Sequence, residues 1–219
     1  MTKFFKDNGL TIVLLLMFLG SVIGHWLTGW RVENADLIRH GEQPIGALAF
    51  LTDAQFLSTV FENWESEFLQ MSAYVVLTAF LIQRGSSESR DPDAPPRDSD
   101  LAWQALKPGA PAILRAGPAA RWLYAHSLGI TLFLLFIASF VMHWTQSARA
   151  AAEEAAQHGE SAPTLWGYLG DPQLWFESFQ NWQSEFLSTA FLVVLSIYLR
   201  QKESPESKPV AAPHSHTGD

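Results

Sequence analysis

Residues 61–69 read FENWESEFL, and residues 179–187 read FQNWQSEFL. The two stretches lie 118 residues apart. The same offset aligns the apolar runs that precede them, LTIVLLLMFLGSVIGHW at 10–26 and LGITLFLLFIASFVMHW at 128–144. One ungapped register therefore holds over two apolar segments and the loop between them. The sequence predicts a tandem duplication of a two-helix hairpin.

The composition favours an integral membrane protein. The chain has 219 residues, of which 48% are hydrophobic and only 16% are charged, whereas soluble domains average roughly 25% charged residues. A net charge of −8 argues against a nucleic-acid-binding protein, because such proteins present basic surfaces. The absence of cysteine excludes disulfides, thiolate metal sites and a cysteine nucleophile.

Four segments are predicted to span the membrane. Two are long uncharged runs that exceed the roughly 20 residues needed to cross a bilayer. The other two are shorter, and we extend each one backward through a glutamate to a tryptophan, which would lie at the headgroup level. The predicted spans are 9–30, 63–83, 123–147 and 181–200.

The predicted fold class is all-α, with four transmembrane helices arranged as two hairpin repeats, 1–83 and 122–201. Each repeat has an even number of spans, so both enter the membrane in the same direction. The repeats are then related by a pseudo-two-fold axis along the membrane normal. We expect the linker at 84–121 to be partly disordered and partly interfacial, and the tail at 202–219 to be disordered.

The distribution of Lys and Arg predicts the orientation. Eleven of the fourteen lie in residues 1–9, 84–121 and 200–219, so the positive-inside rule places both termini and the linker in the cytoplasm. The localisation expected is a bacterial inner membrane. A cleaved signal peptide is not expected at the N-terminus, because its removal would leave the first repeat without a helix that the second keeps.

Polar residues recur near the outer ends of the predicted spans. His25 and His143 end the first and third spans, while Glu67 and Glu185 lie just inside the second and fourth. We predict that these four side chains form a symmetric polar centre in the outer leaflet. Ionisable residues inside a membrane are functional candidates, because burying them is costly. Further polar residues on the same helical faces are Asn63, Ser66, Asn181 and Ser184, and the interfacial anchors are Trp26, Trp64, Trp144 and Trp182.

Several roles for this centre stay open. It could anchor or join helices, bind or conduct a proton or small cation, ligate a metal such as zinc, or hold a haem between His25 and His143. No cofactor is expected, and the sequence leaves a metal undecided. The repeated tripeptides His40-Gly41-Glu42 and His158-Gly159-Glu160 predict polar turns around glycine, with a surface metal site as the alternative. No hydrolase or nucleotide-binding motif is present, so no enzymatic activity is expected.

The repeated Asn-Trp-x-Ser-Glu-Phe motif, together with the His-Trp helix ends, resembles a family of small bacterial inner-membrane proteins that is known only as a domain of unknown function. The resemblance covers the chain apart from the linker and the tail. It implies a multi-pass membrane location and supplies no activity or catalytic residue. The expected partners are the lipid bilayer and a second copy of the chain or another membrane protein.

Overall fold

The computed structural model describes residues 3–95 and 97–218, which form helices and turns without any β-strand. The all-α fold class is therefore confirmed for this part of the chain. A short 3-10 helix occupies Ala112–Arg115. The α-helices are α1 Lys3–Arg39, α2 Ala47–Phe50, α3 Ala54–Leu77, α4 Leu101–Gln104, α5 Pro118–Ala125, α6 Ser127–His158, α7 Leu165–Tyr168 and α8 Pro172–Tyr198.

Helices α1 and α6 are long and apolar enough to cross a membrane. No residue of α1 is buried, and the side chains of Leu10 and Leu16 are 75% and 63% exposed. A helix that presents large apolar side chains all round is typical of a membrane span. Helices α3 and α8 do not meet the same criterion of hydropathy and charge. In α3, Glu62, Glu65 and Glu67 interrupt the apolar sequence.

Some helix bounds match at the 118-residue offset found in the sequence. Adding 118 to the bounds of α2 gives the bounds of α7, and the starts of α3 and α8 are related in the same way. The start signals also recur. Asp53 Oδ1 accepts a hydrogen bond from the backbone N–H of Gln55 at 2.9 Å, and Asp171 Oδ1 accepts one from Gln173 at 2.9 Å. An aspartate just before a helix satisfies amide groups that lack helical partners, which explains where both helices begin.

The chain forms two compact units. The first comprises the residues up to Val60 together with His143–Leu165. In it, the hydroxyl oxygens of Ser58 and Ser147 lie 2.6 Å apart and are buried. The ring of Phe50, only 3% exposed, packs close to Gly29 of α1, where an added Cβ would lie 3.1 Å from the ring.

The second unit comprises Phe61–Met142 and the residues from Trp166 onward. Its α6 and α8 segments are joined by aromatic rings. The rings of Phe140 and Trp175 have centroids 5.9 Å apart, and Trp182 meets Phe136 edge-on at 6.3 Å. Such pairs contribute about 0.5 to 1.5 kcal/mol beyond the burial of their area.

The described parts of the linker and tail contain short helices and turns. The part of the linker that is expected to be interfacial contains α4, the 3-10 helix and the start of α5, with Ala105 and Leu114 buried. The tail, for which disorder was expected, forms successive turns in which Lys208 is buried. Composition misses this structure because the tail is fixed by backbone hydrogen-bonding groups, which carry no compositional signal.

Candidate polar site on helices α3 and α8

The repeated motif places polar side chains where α3 and α8 meet in the second unit. Three hydrogen-bonded pairs join these helices. In each pair, a side chain of α3 meets a side chain of α8 that lies one position away from its counterpart at the 118-residue offset. The pairs are Glu62 with Asn181, Glu65 with Trp182, and Gln70 with Thr189.

Glu65 is the most deeply buried acid of the site. Glu65 is 0% exposed, and its Oε1 accepts a hydrogen bond from the indole Nε1–H of Trp182 at 2.9 Å. One turn earlier, Oε1 of Glu62 accepts a hydrogen bond from the side-chain amide of Asn181. Buried carboxyl groups are tolerated when donors satisfy them, so these pairs explain how two acids are held between helices.

Glu67 and Glu185 are placed differently. Glu67 is exposed at the surface of the described chain, Glu185 is half-buried, and the negative charge of Glu67 acts on the carboxyl group of Glu185. Across residues 3–95 and 97–218, neither carboxylate has a hydrogen bond or an ion pair. The arrangement is thus a pair of like charges that repel each other without a neutralising group.

The other polar residues predicted on these faces make local contacts. The hydroxyls of Ser66 and Ser184 each donate to the carbonyl three residues earlier, that of Asn63 and that of Asn181, both at 2.8 Å. Ser66 is buried, whereas Asn63 and Ser184 are exposed. Asn181 bonds across the helix pair, because its side-chain amide donates to Glu62 on the facing helix.

The two histidines lie in the first unit. Nε2 of His25 is 3.2 Å from the hydroxyl of Thr59, which lies 2.9 Å from the carbonyl oxygen of Phe56. The ring of His25 also packs on that of Phe56, with centroids 5.1 Å apart. His143 is fully buried. Since Glu67 and Glu185 belong to the second unit, the four-membered His/Glu centre stays a prediction, as do its zinc and haem alternatives.

The predicted tryptophan anchors Trp26, Trp144 and Trp182 donate hydrogen bonds within the protein. The indole N–H of Trp26 donates to the carbonyl of Ala47 at 2.7 Å, and that of Trp144 donates to the carbonyl of Leu165 at 2.9 Å. These are equivalent contacts at the 118-residue offset, and each ties a long helix to the short helix after it. Trp182 bonds Glu65, and Trp64 packs edge-on against Phe61 at 5.4 Å.

The His-Gly-Glu tripeptides form turns, as predicted. Gly41 and Gly159 have φ angles of 77° and 69°, a left-handed conformation that ends a helix. In both copies the glutamate N–H donates at 2.8 Å to a carbonyl five residues back, from Glu42 to Leu37 and from Glu160 to Ala155. Both histidine rings bond a carbonyl four residues earlier.

The polar centre predicted from the sequence did not include Glu62 or Glu65, whose counterparts in the second copy are Gln180 and Gln183. The structure shows that both acids bond across the helix pair. A usable signal was present: Glu62 and Glu65 are three residues apart and therefore share a helical face. Their replacement in one copy indicates a contact that differs between the copies rather than an unused position.

The fold and its exposed apolar surface define an all-helical protein with two helices able to cross a membrane. The chain belongs to the family described as Domain of unknown function (DUF6766), whose model matches residues 1–219. The predicted membership of an uncharacterised family is thereby confirmed. No curated protein and no solved structure matches the chain.

Proposed function

We propose that this chain is a multi-pass inner-membrane protein whose α3–α8 pair binds or conducts a proton or a small cation. Four spans are proposed, with α3 and α8 added to α1 and α6. At 1.5 Å per residue, the 24 residues of α3 extend about 36 Å and the 27 of α8 about 40 Å. Both lengths exceed the hydrocarbon thickness of about 30 Å.

The tandem arrangement with a pseudo-two-fold axis along the membrane normal is part of this proposal. It is supported by the bounds of α2 and α7, which differ by 118 residues, and by the contacts of Trp26 and Trp144, which are equivalent at the same offset. The distribution of Lys and Arg supports cytoplasmic termini. Reporter fusions in the 84–121 linker and after residue 219 should both report the cytoplasm, and opposite locations would contradict an even number of spans.

The observation that carries the proposed activity is the pair Glu67 and Glu185. Their charges interact unfavourably, and neither carboxylate has a hydrogen-bond or ion-pair partner in the described chain. Two carboxyl groups repel each other when both are ionised. The low dielectric of a membrane strengthens that repulsion, because it screens the charges less than water does. A single proton or cation held by the pair removes that repulsion. Membrane-embedded acids of this kind mark ion and proton pathways.

The test compares Glu67→Gln, Glu185→Gln and the double variant with the unmodified protein in proteoliposomes. A pH gradient or a gradient of Na⁺ or K⁺ is imposed, and flux is followed with an internal indicator dye. We expect each single variant to reduce flux at least tenfold and the double variant to abolish it. Glu160→Gln, which changes an acid in an outer loop, is the matched control and should retain flux.

A second readout distinguishes binding from conduction. The fluorescence of the protein, which includes Trp64 and Trp182 in the same motif, is titrated with protons and with each cation. We expect the fluorescence of the unmodified protein to show a transition that the double variant lacks. The two proteins should have the same helical circular-dichroism spectrum. Unchanged flux and unchanged titration in the double variant would overturn the proposed activity.

A structural or partner-assembly role is the second candidate, and a specific observation favours it. The three side-chain pairs between α3 and α8 are satisfied hydrogen bonds of the kind that join membrane helices, each contributing about 0.6 to 2 kcal/mol. If the protein has this structural role, the unmodified protein shows no flux. The double variant of Glu67→Gln and Glu185→Gln then changes thermal stability or the recovery of a partner instead. Co-purification of tagged and untagged copies measures self-association directly.

A further inference from the structure

The buried side chain of Lys208 has no part in the activity proposed above. Lys208 is 1% exposed, and its Nζ donates to backbone carbonyl oxygens only. The distances are 2.9 Å to His216, 3.1 Å to His214 and 3.3 Å to Pro213, and Gly85 supplies the fourth oxygen. In the described chain no carboxylate pairs with this ammonium group. The buried ammonium group is thus stabilised by the dipoles of these carbonyls, with no counter-charge in the described chain.

The four carbonyls join two segments that are distant in sequence. Gly85 belongs to the start of the linker, and the other three residues belong to the tail. Further bonds reinforce this junction: the N–H of Gly85 donates to the hydroxyl of Thr217 at 2.9 Å, and the N–H of Gly218 donates to the carbonyl of Ser86 at 2.9 Å. These hydrogen bonds therefore hold the tail against residues 85–86.

The same junction is fixed to the end of α8. The hydroxyls of the buried residues Ser86 and Ser196 lie 2.8 Å apart, and Nδ1 of His214 is 3.0 Å from the carbonyl oxygen of Ile197. Arg200 donates from its guanidinium to the carbonyl of Ala212 at 3.0 Å. Residues 200–218 thus form a closed structure, which we call the tail clasp, at the point where α8 ends.

We propose that the carbonyl cage of the tail clasp is a binding site for a monovalent cation of the ammonium or potassium type, and that the Lys208 ammonium occupies it as a tethered ligand. Rings of backbone carbonyls are the donors with which proteins replace the hydration shell of K⁺. An ammonium group presents three N–H donors, which the four carbonyl oxygens around Lys208 share. Removal of the lysine leaves converging carbonyl oxygens without a positive charge, so the clasp should open unless a free cation enters.

Chemical labelling of the unmodified protein tests the buried state of Lys208. The full-length protein in nanodiscs is treated with an acetylating reagent, and the rate at each lysine is measured by mass spectrometry. Lys202, whose side chain is 80% exposed, is the internal reference. We expect Lys208 to react at least tenfold more slowly than Lys202, and to react equally once the protein is denatured. Equal rates in the folded protein would overturn the proposal, whether or not any variant folds.

Chemical rescue tests the cage as a cation site. We expect Lys208→Ala to raise amide hydrogen exchange across 200–218 at least tenfold, and millimolar ethylammonium or K⁺ to restore slow exchange. Lys202→Ala is the matched control and should exchange like the unmodified protein. Slow exchange in Lys208→Ala without added cation would show that the lysine does not hold the clasp. Fast exchange that neither cation reverses would refute the cation site.

A variant that keeps Lys208 tests the cage from the other side. A Cβ added at Gly85 would lie 2.8 Å from the carbonyl oxygen of His214, so Gly85→Ala forces the cage apart without removing a charge. We expect Lys208 in this variant to be acetylated at the rate of Lys202. Continued protection of Lys208 would contradict the assigned geometry.

Discussion

The indole N–H of Trp182 donates to the fully buried carboxyl group of Glu65 across 2.9 Å, and so joins α8 to α3 through the two copies of one motif. Because Trp182 is the counterpart of Trp64 at the 118-residue offset, the contact pairs the tryptophan of one copy with an acid that only the other copy has.

Replacing Trp182 with Phe should lower the free energy of unfolding by about 1 to 3 kcal/mol, because the buried carboxyl group loses a donor. Chemical unfolding in detergent micelles, followed by circular dichroism, measures the change. Trp103→Phe alters an indole that is 57% exposed in the linker and should leave stability nearly unchanged. Equal effects of the two substitutions would contradict a stabilising role for the Glu65 contact.

Replacing Glu65 itself separates the charge of the side chain from its ability to accept a hydrogen bond. Glu65→Gln installs the residue that the second copy has at position 183, and its amide oxygen can still accept from Trp182. We expect it to cost less than about 1 kcal/mol, whereas Glu65→Leu leaves the indole N–H unpaired and should cost about 1 to 3 kcal/mol. If unfolding gives the reverse order, charge rather than hydrogen bonding dominates at this position.

The equivalent indole contacts of the first unit should be stabilising in both copies. Trp26→Phe and Trp144→Phe each remove a donor to a backbone carbonyl, at a cost of about 0.5 to 1.5 kcal/mol. Trp144 is 8% exposed, so its replacement also leaves a buried void and should cost more. Thermal unfolding of both variants tests this order, with Trp122→Phe, which alters a 58% exposed side chain in α5, as control.

The left-handed glycines at the ends of α1 and α6 should resist substitution. Gly41→Ala and Gly159→Ala place a Cβ on residues with φ angles of 77° and 69° and should destabilise the protein by about 1 kcal/mol each. Gly9→Ala is the control, because Gly9 lies within α1 and nothing lies within 4 Å of an added Cβ. We expect that control to be neutral or stabilising, since alanine favours helix.

The exposed ion pair of Arg84 and Asp93 should respond to acid. Nη1 of the Arg84 guanidinium donates to Oδ2 of Asp93 at 2.6 Å, and this hydrogen bond lowers the pKa of the Asp93 carboxyl group below its usual value. A carboxyl group with a lowered folded-state pKa stabilises the folded state above its unfolded pKa and loses that contribution as the pH falls through the folded value.

Nuclear magnetic resonance of aspartate-labelled protein measures this titration. We expect Arg84→Gln to raise the pKa of Asp93 toward that of an ordinary aspartate, with little change in stability, because both side chains are exposed. An unchanged titration in Arg84→Gln would show that the guanidinium does not stabilise the carboxylate.

The elements that the sequence predicted well depend on short-range patterns. The apolar runs identified α1 and α6, and the His-Gly-Glu tripeptides identified the turns at Gly41 and Gly159. The bounds of the spans stay a prediction. Helix α1 continues to Arg39, beyond the predicted span 9–30, because the polar residues after the apolar run are also compatible with a helix.

The polar site was predicted only in part. Its motif and its two helices follow from the sequence, but the predicted centre did not include Glu62 or Glu65. Two helices packed on each other need not use positions at the 118-residue offset in the same way, because identical acids on both helices would add a like charge. The differing positions therefore carried the interhelical bonds.

The sequence by itself determined the helical class, the order of the helices and the recurrence of their local contacts, because each depends on residues a few positions apart. Only the tertiary structure decided which acids are satisfied and which are not. Glu65 has a donor while Glu67 and Glu185 repel each other, because the rotation and register of α3 against α8 set these pairings. The same holds for Lys208, whose cage joins carbonyls more than 120 residues apart in sequence.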